Sequence, residues 1–138
     1  MAGSAPKGAV PESRRFERMA CLRIMVVEDD DLIAVLLGEM LEGLGHEVCA
    51  IEATEALAVK SAACCHPDLM IVDVRLREGD GVSAVRRISR ASRTPHLFVS
   101  GDLSRVRAEM PRAAMLQKPY NETDLVSGIE RAVAAGSA

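Results

Sequence analysis

Asp68-Leu69-Met70-Ile71-Val72-Asp73, read DLMIVD, decides the fold. Four apolar residues stand between two aspartates. The run is too short for a helix and fits a strand buried on both faces. Its far end is Asp73, a carboxylate where a central parallel strand would leave the sheet. In open α/β sheets, sites lie outside the carboxyl ends of the strands. Asp73 is therefore the candidate reactive group.

Working outward, the same kind of segment recurs. Leu22–Val27 (LRIMVV) reads as a buried strand that ends in Glu28, Asp29, Asp30 and Asp31. A helix follows, with Ile33, Leu36, Leu37, Met40, Leu41 and Leu44 spaced for one inward face. Asp30 or Asp31 can cap its start, and Gly45 ends it. Glu47–Ile51 reads as a second strand. Thr54 caps a second, alanine-rich helix that Pro67 stops.

Beyond Asp73, residues 75–81 form a loop with turn residues Gly79, Asp80 and Gly81. A third helix spans about 82–92, with Val82, Val85 and Ile88 inward and Arg86, Arg90 and Arg93 on a solvated face. His96–Val99 is a fourth strand, delivering Ser100. Only a short helix fits before Pro111. Ala113–Leu116 is a fifth strand, delivering Lys118. Asn121 with Asp124 predicts a capping box for the last helix, whose stripe is Leu125, Val126, Ile129 and Val133. Strand then helix, five times over, implies a parallel sheet with helices on both faces.

Composition narrows the class. A chain of 138 residues suits one domain with a real core, and its only aromatics are Phe16, Phe98 and Tyr120. No run approaches the roughly 20 apolar residues of a membrane span, and no secretory signal opens the chain. We expect a cytoplasmic protein. Residues 1–20 lack an apolar period and read as a disordered leader, leaving 21–138 as the domain. The leader carries a net +2 and the remainder −5. Such an acidic body is a poor binder of nucleic acid, and no membrane partner is expected. Cys21, Cys49, Cys64 and Cys65 contain no C-x-x-C pair, so they read as small thiols in a reducing compartment.

Four strand ends thus converge: Glu28 and Asp29, then Asp73, Ser100 and Lys118. Each pair of carboxylates about 4 Å apart would repel by on the order of 4 kcal/mol at an effective dielectric near 20. Lys118 supplies one positive charge, and a hard dication such as Mg²⁺ supplies the two that balance the set. A carboxylate nucleophile, a metal, an ammonium and a hydroxyl suit a phosphoryl group on Asp73.

VVEDD, DLMIVD, VSG and QKPY, in this order and spacing, resemble the receiver domain of two-component response regulators over about residues 21–136. The resemblance implies a flavodoxin-like five-stranded parallel sheet of order 2-1-3-4-5. It implies that Asp73 accepts a phosphoryl group from a histidine kinase or histidine phosphotransfer protein. Glu28 and Asp29 match the acidic metal-binding pair, and Arg75 the residue whose backbone carbonyl binds Mg²⁺ (or Mn²⁺). Ser100 matches the switch hydroxyl and Lys118 the phosphoryl-contacting lysine. A cis Lys118–Pro119 bond is expected. The implied activity is that of a stand-alone phosphorelay switch, not an enzyme beyond phosphotransfer onto itself and slow autodephosphorylation. It would signal through contacts with a downstream protein.

One position and one spacing depart from the family pattern. Met115 stands three before the lysine, where receivers usually carry Tyr or Phe. A thioether repacks a gap but offers no rigid ring, which sets aside the aromatic switch. Ser100 to Lys118 spans 18 positions, a few fewer than is usual, so the fourth helix should be short or irregular. Arg75 and Asp102, each two residues past a site residue, are expected to pair as a gate across the pocket mouth. The alternative readings are an interaction module that takes no phosphate and an aspartyl-phosphate phosphohydrolase. The hydrolase would want an aspartate where Arg75 stands. A flavin-binding domain of the same fold would meet an acidic cluster that repels its phosphate.

Overall fold

The computed structural model describes residues 21–136, so the expected leader lies outside the described residues. Five strands alternate with five helices: β1 Arg23–Val27, α1 Asp31–Gly43, β2 Glu47–Glu52, α2 Glu55–Cys65 and β3 Leu69–Asp73, then α3 Gly81–Ala91, β4 His96–Ser100, α4 Ser104–Glu109, β5 Ala114–Gln117 and α5 Glu122–Gly136. The strands pair in the order β2-β1-β3-β4-β5, all parallel. No helix among the described residues is long and apolar enough to cross a membrane.

The period-2 geometry of a strand divides the sheet's side chains between two cores. Met25, Val27, Met70, Val72 and Phe98 point to the side covered by α2, α3 and α4. Ile24, Val26, Leu69, Ile71, Leu97 and Val99 point to the side covered by α1 and α5. β3 is buried along its whole length, as its apolar run requires. Fully burying each such side chain contributes roughly 1.5–3 kcal/mol before entropy is counted.

Asp68, the other aspartate of the motif, fastens the amino end of β3. Its carboxylate accepts from Arg23 N at 2.8 Å, and its own N–H donates to Arg23 O at 2.7 Å. The caps follow from local chemistry. Asp30 accepts from Leu32 N and Ile33 N at the start of α1, and Thr54 accepts from Leu57 N at the start of α2. Gly45, just past α1, takes a φ of 96°, open to glycine at little cost. Asn121 and Asp124 exchange backbone-to-side-chain bonds of 2.8 and 3.1 Å, the expected capping box of α5.

One expected face is corrected. On α1 the buried residues are Ala34, Leu37, Gly38 and Leu41, whereas Ile33 is 37% and Leu36 53% exposed. Apolar residues run round most of this helix, so periodicity alone did not select a side. The small residues do: Gly38 lies near Val48 and Ile51 of β2, letting the helix sit low on the sheet. Leu32, Val35 and Leu36 are left facing out as an i, i+3, i+4 patch.

The fourth helix has only six residues, too few to be stable alone. It is tied to α3 by Arg105–Asp80 at 3.1 Å and Arg86–Glu109 at 3.0 Å. Arg86 therefore bridges two helices rather than only facing solvent. All four cysteines are free; Cys49 and Cys65 are half-buried, Cys21 and Cys64 exposed.

Candidate functional site

The site is assembled at the carboxyl ends of β1, β3, β4 and β5. Val27 is the last residue of β1, so Glu28 and Asp29 emerge together. The carboxylates of Glu28, Asp29 and Asp73 lie within 4.8 Å of one another. Each has a separate support. Glu28 is 5% exposed and accepts from Asp30 N at 3.1 Å. Asp29 accepts from Arg77 N at 2.8 Å. Asp73 accepts from Arg75 N at 3.2 Å.

Lys118 reaches in from the end of β5. Its Nζ donates to Asp73 Oδ2 at 2.9 Å and Glu28 Oε1 at 3.1 Å. The backbone fixes this approach: Lys118 N donates to Ser100 O at 2.9 Å. The Lys118–Pro119 bond is cis, as expected. Ser100 is buried, its Oγ accepting from Asp102 N at 3.2 Å. The sequence-predicted residues Glu28, Asp29, Asp73, Ser100 and Lys118 therefore stand at one sheet edge.

Electrostatics follow from burial and pairing. Burial raises the Glu28 carboxyl above its ordinary range, and the Asp73 charge adds to the rise; Asp30 N–H and Lys118 oppose it. Burial alone would lower Lys118, but its bonds to Asp73 and Glu28 outweigh that and hold the ammonium above its ordinary value. Three carboxylates against one ammonium leave uncompensated negative charge. This set of hard, close-spaced oxygens suits a dication that prefers carboxylates, carbonyls and water.

Arg75 and Asp102 are brought near each other but make no ion pair within 4.0 Å. Asp102 instead accepts from Ser104 N at 3.0 Å and Ser104 Oγ at 2.7 Å. These bonds lower its carboxyl, with Arg75 contributing a weaker, longer-range pull in the same direction. Met115 is half-buried and pairs in register with Phe98 of β4. A buried ring thus lies beside the position that lacks one.

Three residues bear on the site in ways that sequence reasoning missed, although Gly81 was marked as a turn residue and Tyr120 lies in QKPY. Gly81 donates its N–H to Val74 O at 2.9 Å, and a Cβ there would lie 2.1 Å from Asp73 O. Only glycine lets α3 start this close to the aspartate's backbone. Glu55, at the start of α2, accepts from Asp80 N at 3.0 Å, Ser83 Oγ at 2.8 Å and Arg87 at 3.0 Å. These bonds, Asp80 N–H first, lower its carboxyl and pin the loop between β3 and α3. Tyr120 is half-buried, and burial raises its phenol; Lys118 counters this, while Glu28 and Asp73 reinforce it.

Comparison with known proteins converges on one description. A family model for the response regulator receiver domain matches residues 24–130. The chain is 33% identical over 115 residues to the transcriptional regulatory protein PdtaR of Mycobacterium tuberculosis, covering 80% of this chain and 56% of that protein. It is 32% identical over 114 residues to the phyllosphere-induced regulator PhyR of Methylorubrum extorquens, covering 80% and 43%. Thus the chain spans about half the length of these curated relatives. The crystal structure of the anti-anti-sigma factor PhyR from Bartonella quintana is similar at a TM-score of 0.75 and 29% identity, covering 88% of this chain and 51% of that one.

Proposed function

We propose, on the premise that the chain belongs to the response regulator receiver domain family, that it is a phosphoacceptor switch charged at Asp73 by a phosphohistidine donor. The donor would be a histidine kinase or a histidine phosphotransfer protein. In the step, an Asp73 carboxylate oxygen attacks phosphorus in line. The phosphorus–nitrogen bond breaks, its electron pair stays on the donor's ring nitrogen, and the ring, protonated on its other nitrogen, leaves as neutral imidazole.

The observation that carries this reading is the Lys118 ammonium, 2.9 Å from Asp73 and 3.1 Å from Glu28. It orients Asp73 and remains to offset the oxygens that arrive with the phosphoryl group. Mg²⁺, held by Asp29, Asp73 and Glu28 with the Arg75 carbonyl, would supply the remaining charge neutralisation. Ser100 offers its hydroxyl to the phosphoryl oxygens, drawing its loop inward and shifting a two-state equilibrium. The exposed patch of Leu32, Val35 and Leu36 begins just after Asp29, Asp30 and Asp31 in the chain. It gives the donor an apolar contact beside the site. Output passes to a downstream protein.

The test is incubation with acetyl phosphate and a magnesium salt, followed by intact mass. One phosphoryl group should add to the native chain and none to Asp73→Ala; a gain that persists in the variant overturns the assignment. A chelator should suppress the gain. A second reading, an interaction module that takes no phosphate, is favoured by Met115 standing where the ring is missing. No gain in the native chain would establish it. Arg75 and Asp102, near each other but not ion-paired, are proposed to slow water's attack on the acyl phosphate by their bulk. An unchanged phosphoryl lifetime in Arg75→Ala dismisses that role.

A further inference from the structure

A cavity lies at the opposite end of the sheet from the acidic cluster. It sits where β4 and β5 begin, between the ends of α3, α4 and α5. Its volume is about 660 Å³, within the range of about 300–1,000 Å³ typical of small-molecule sites. The floor is apolar, with Met110, Ala113, Ala114 and Ala132 among its lining residues.

The polar groups around it are uneven. Arg93 and Arg112 both line the cavity, and among the described residues neither makes a hydrogen bond or an ion pair. They are exposed, and they do not bind the carbonyls left open at the ends of α3 and α5, the ordinary structural use of an arginine in such a place. Among the described residues the one lining carboxylate, Glu109, is already taken by Arg86 at 3.0 Å and Arg105 at 2.7 Å. The His96 ring is fixed by its Nδ1, 3.0 Å from Thr94 O, and by edge contact with Phe98. The cavity therefore presents two uncompensated guanidinium groups over an apolar surface.

We propose that this cavity binds a small organic anion. Its acid group would lie against Arg93 and Arg112, and its apolar body on Met110, Ala113, Ala114 and Ala132. A cation finds no free carboxylate here among the described residues. A wholly apolar ligand leaves both guanidinium groups unused, whereas an acid group gains charge-assisted bonds to them.

The full chain, labelled with ¹⁵N, is titrated with decanoate as the probe and with decan-1-ol as its uncharged counterpart. Decanoate should shift the amide resonances of Thr94, Ala113 and Gly136 saturably at or below millimolar concentration. Decan-1-ol should not. The double variant Arg93→Ala with Arg112→Ala should bind decanoate roughly tenfold or more weakly. Equal binding of acid and alcohol by the native chain overturns the proposal, whatever the behaviour of the variant. So does undiminished binding by the double variant, or decanoate shifts confined to the Leu32, Val35 and Leu36 patch.

Discussion

The molecule carries an acidic cluster at one end of its strands and a cavity at the other, and the two are built by opposite rules. At the carboxyl ends, every charged group of the cluster has a partner close by. Lys118 serves Asp73 and Glu28, Arg77 N–H serves Asp29, and Arg75 N–H serves Asp73. At the amino ends of β4 and β5, Arg93 and Arg112 answer to nothing among the described residues. Pairing at the first end positions a reactive carboxylate and leaves net negative charge. Its absence at the second leaves cations held in place only by their backbone. A rigid, over-determined cleft suits chemistry on a fixed atom, whereas a roomy one with loose cations suits capture of a ligand.

The largest effect should come from the tightest contact of the first end. Gly81→Ala places a methyl 2.1 Å from Asp73 O. It is expected to lower unfolding stability by about 3 kcal/mol or more, read by urea titration. A loss below 1 kcal/mol would mean that the α3 start can move away from β3, and that the cleft is less fixed than the contrast requires.

Lys118→Met comes next. It strands the buried Glu28 beside Asp73 with no opposing ammonium. A loss of about 3 kcal/mol is expected in chelator, and a magnesium salt should recover part of it. Equal loss with and without magnesium would separate the lysine's structural work from the acidic cluster.

Glu55→Gln tests the loop that frames the site. It should cost about 1 kcal/mol near neutral pH. Because its folded carboxyl lies below the ordinary 4.5, its contribution is complete above that value. The contribution fades as the pH falls through the depressed folded value, so the variant and the native chain should converge in acid. A gap that stays constant down through that range would assign the effect to packing instead.

At the other end, Arg93→Ala and Arg112→Ala should each change stability by less than about 0.5 kcal/mol. A thermal or urea shift well beyond that would show that these side chains hold the helix ends, and the two clefts would no longer differ in kind.

The alternation of strand and helix and the caps at Thr54 and Asn121–Asp124 were legible because they rest on local signals: short apolar runs, oxygen side chains and glycine. The sheet order came from the family resemblance, and the α1 cap was left between Asp30 and Asp31. The convergence of Glu28, Asp29, Asp73 and Lys118 was legible because each directly follows a strand, and parallel strands end together. The α1 face was misread since its outward leucines equal its inward ones in hydropathy. Only the nearness of Gly38 to β2 tells them apart. Glu55 and Gly81 act on loops distant from them in the chain or through a backbone contact, so no periodicity marks them. The expected Arg75–Asp102 pair missed the competition from Ser104, a neighbour that reaches Asp102 first.

Tyr120 carries one last consequence. It is the chain's single tyrosine, and the chain has no tryptophan. Burial raises its phenol first, and the charges of Lys118, Glu28 and Asp73 lie close enough to add smaller pulls. Near-ultraviolet emission from this protein is therefore a one-residue signal located at the acidic cleft. Charge arriving at Asp73 should be visible there by label-free fluorimetry, in real time and without a coupled assay.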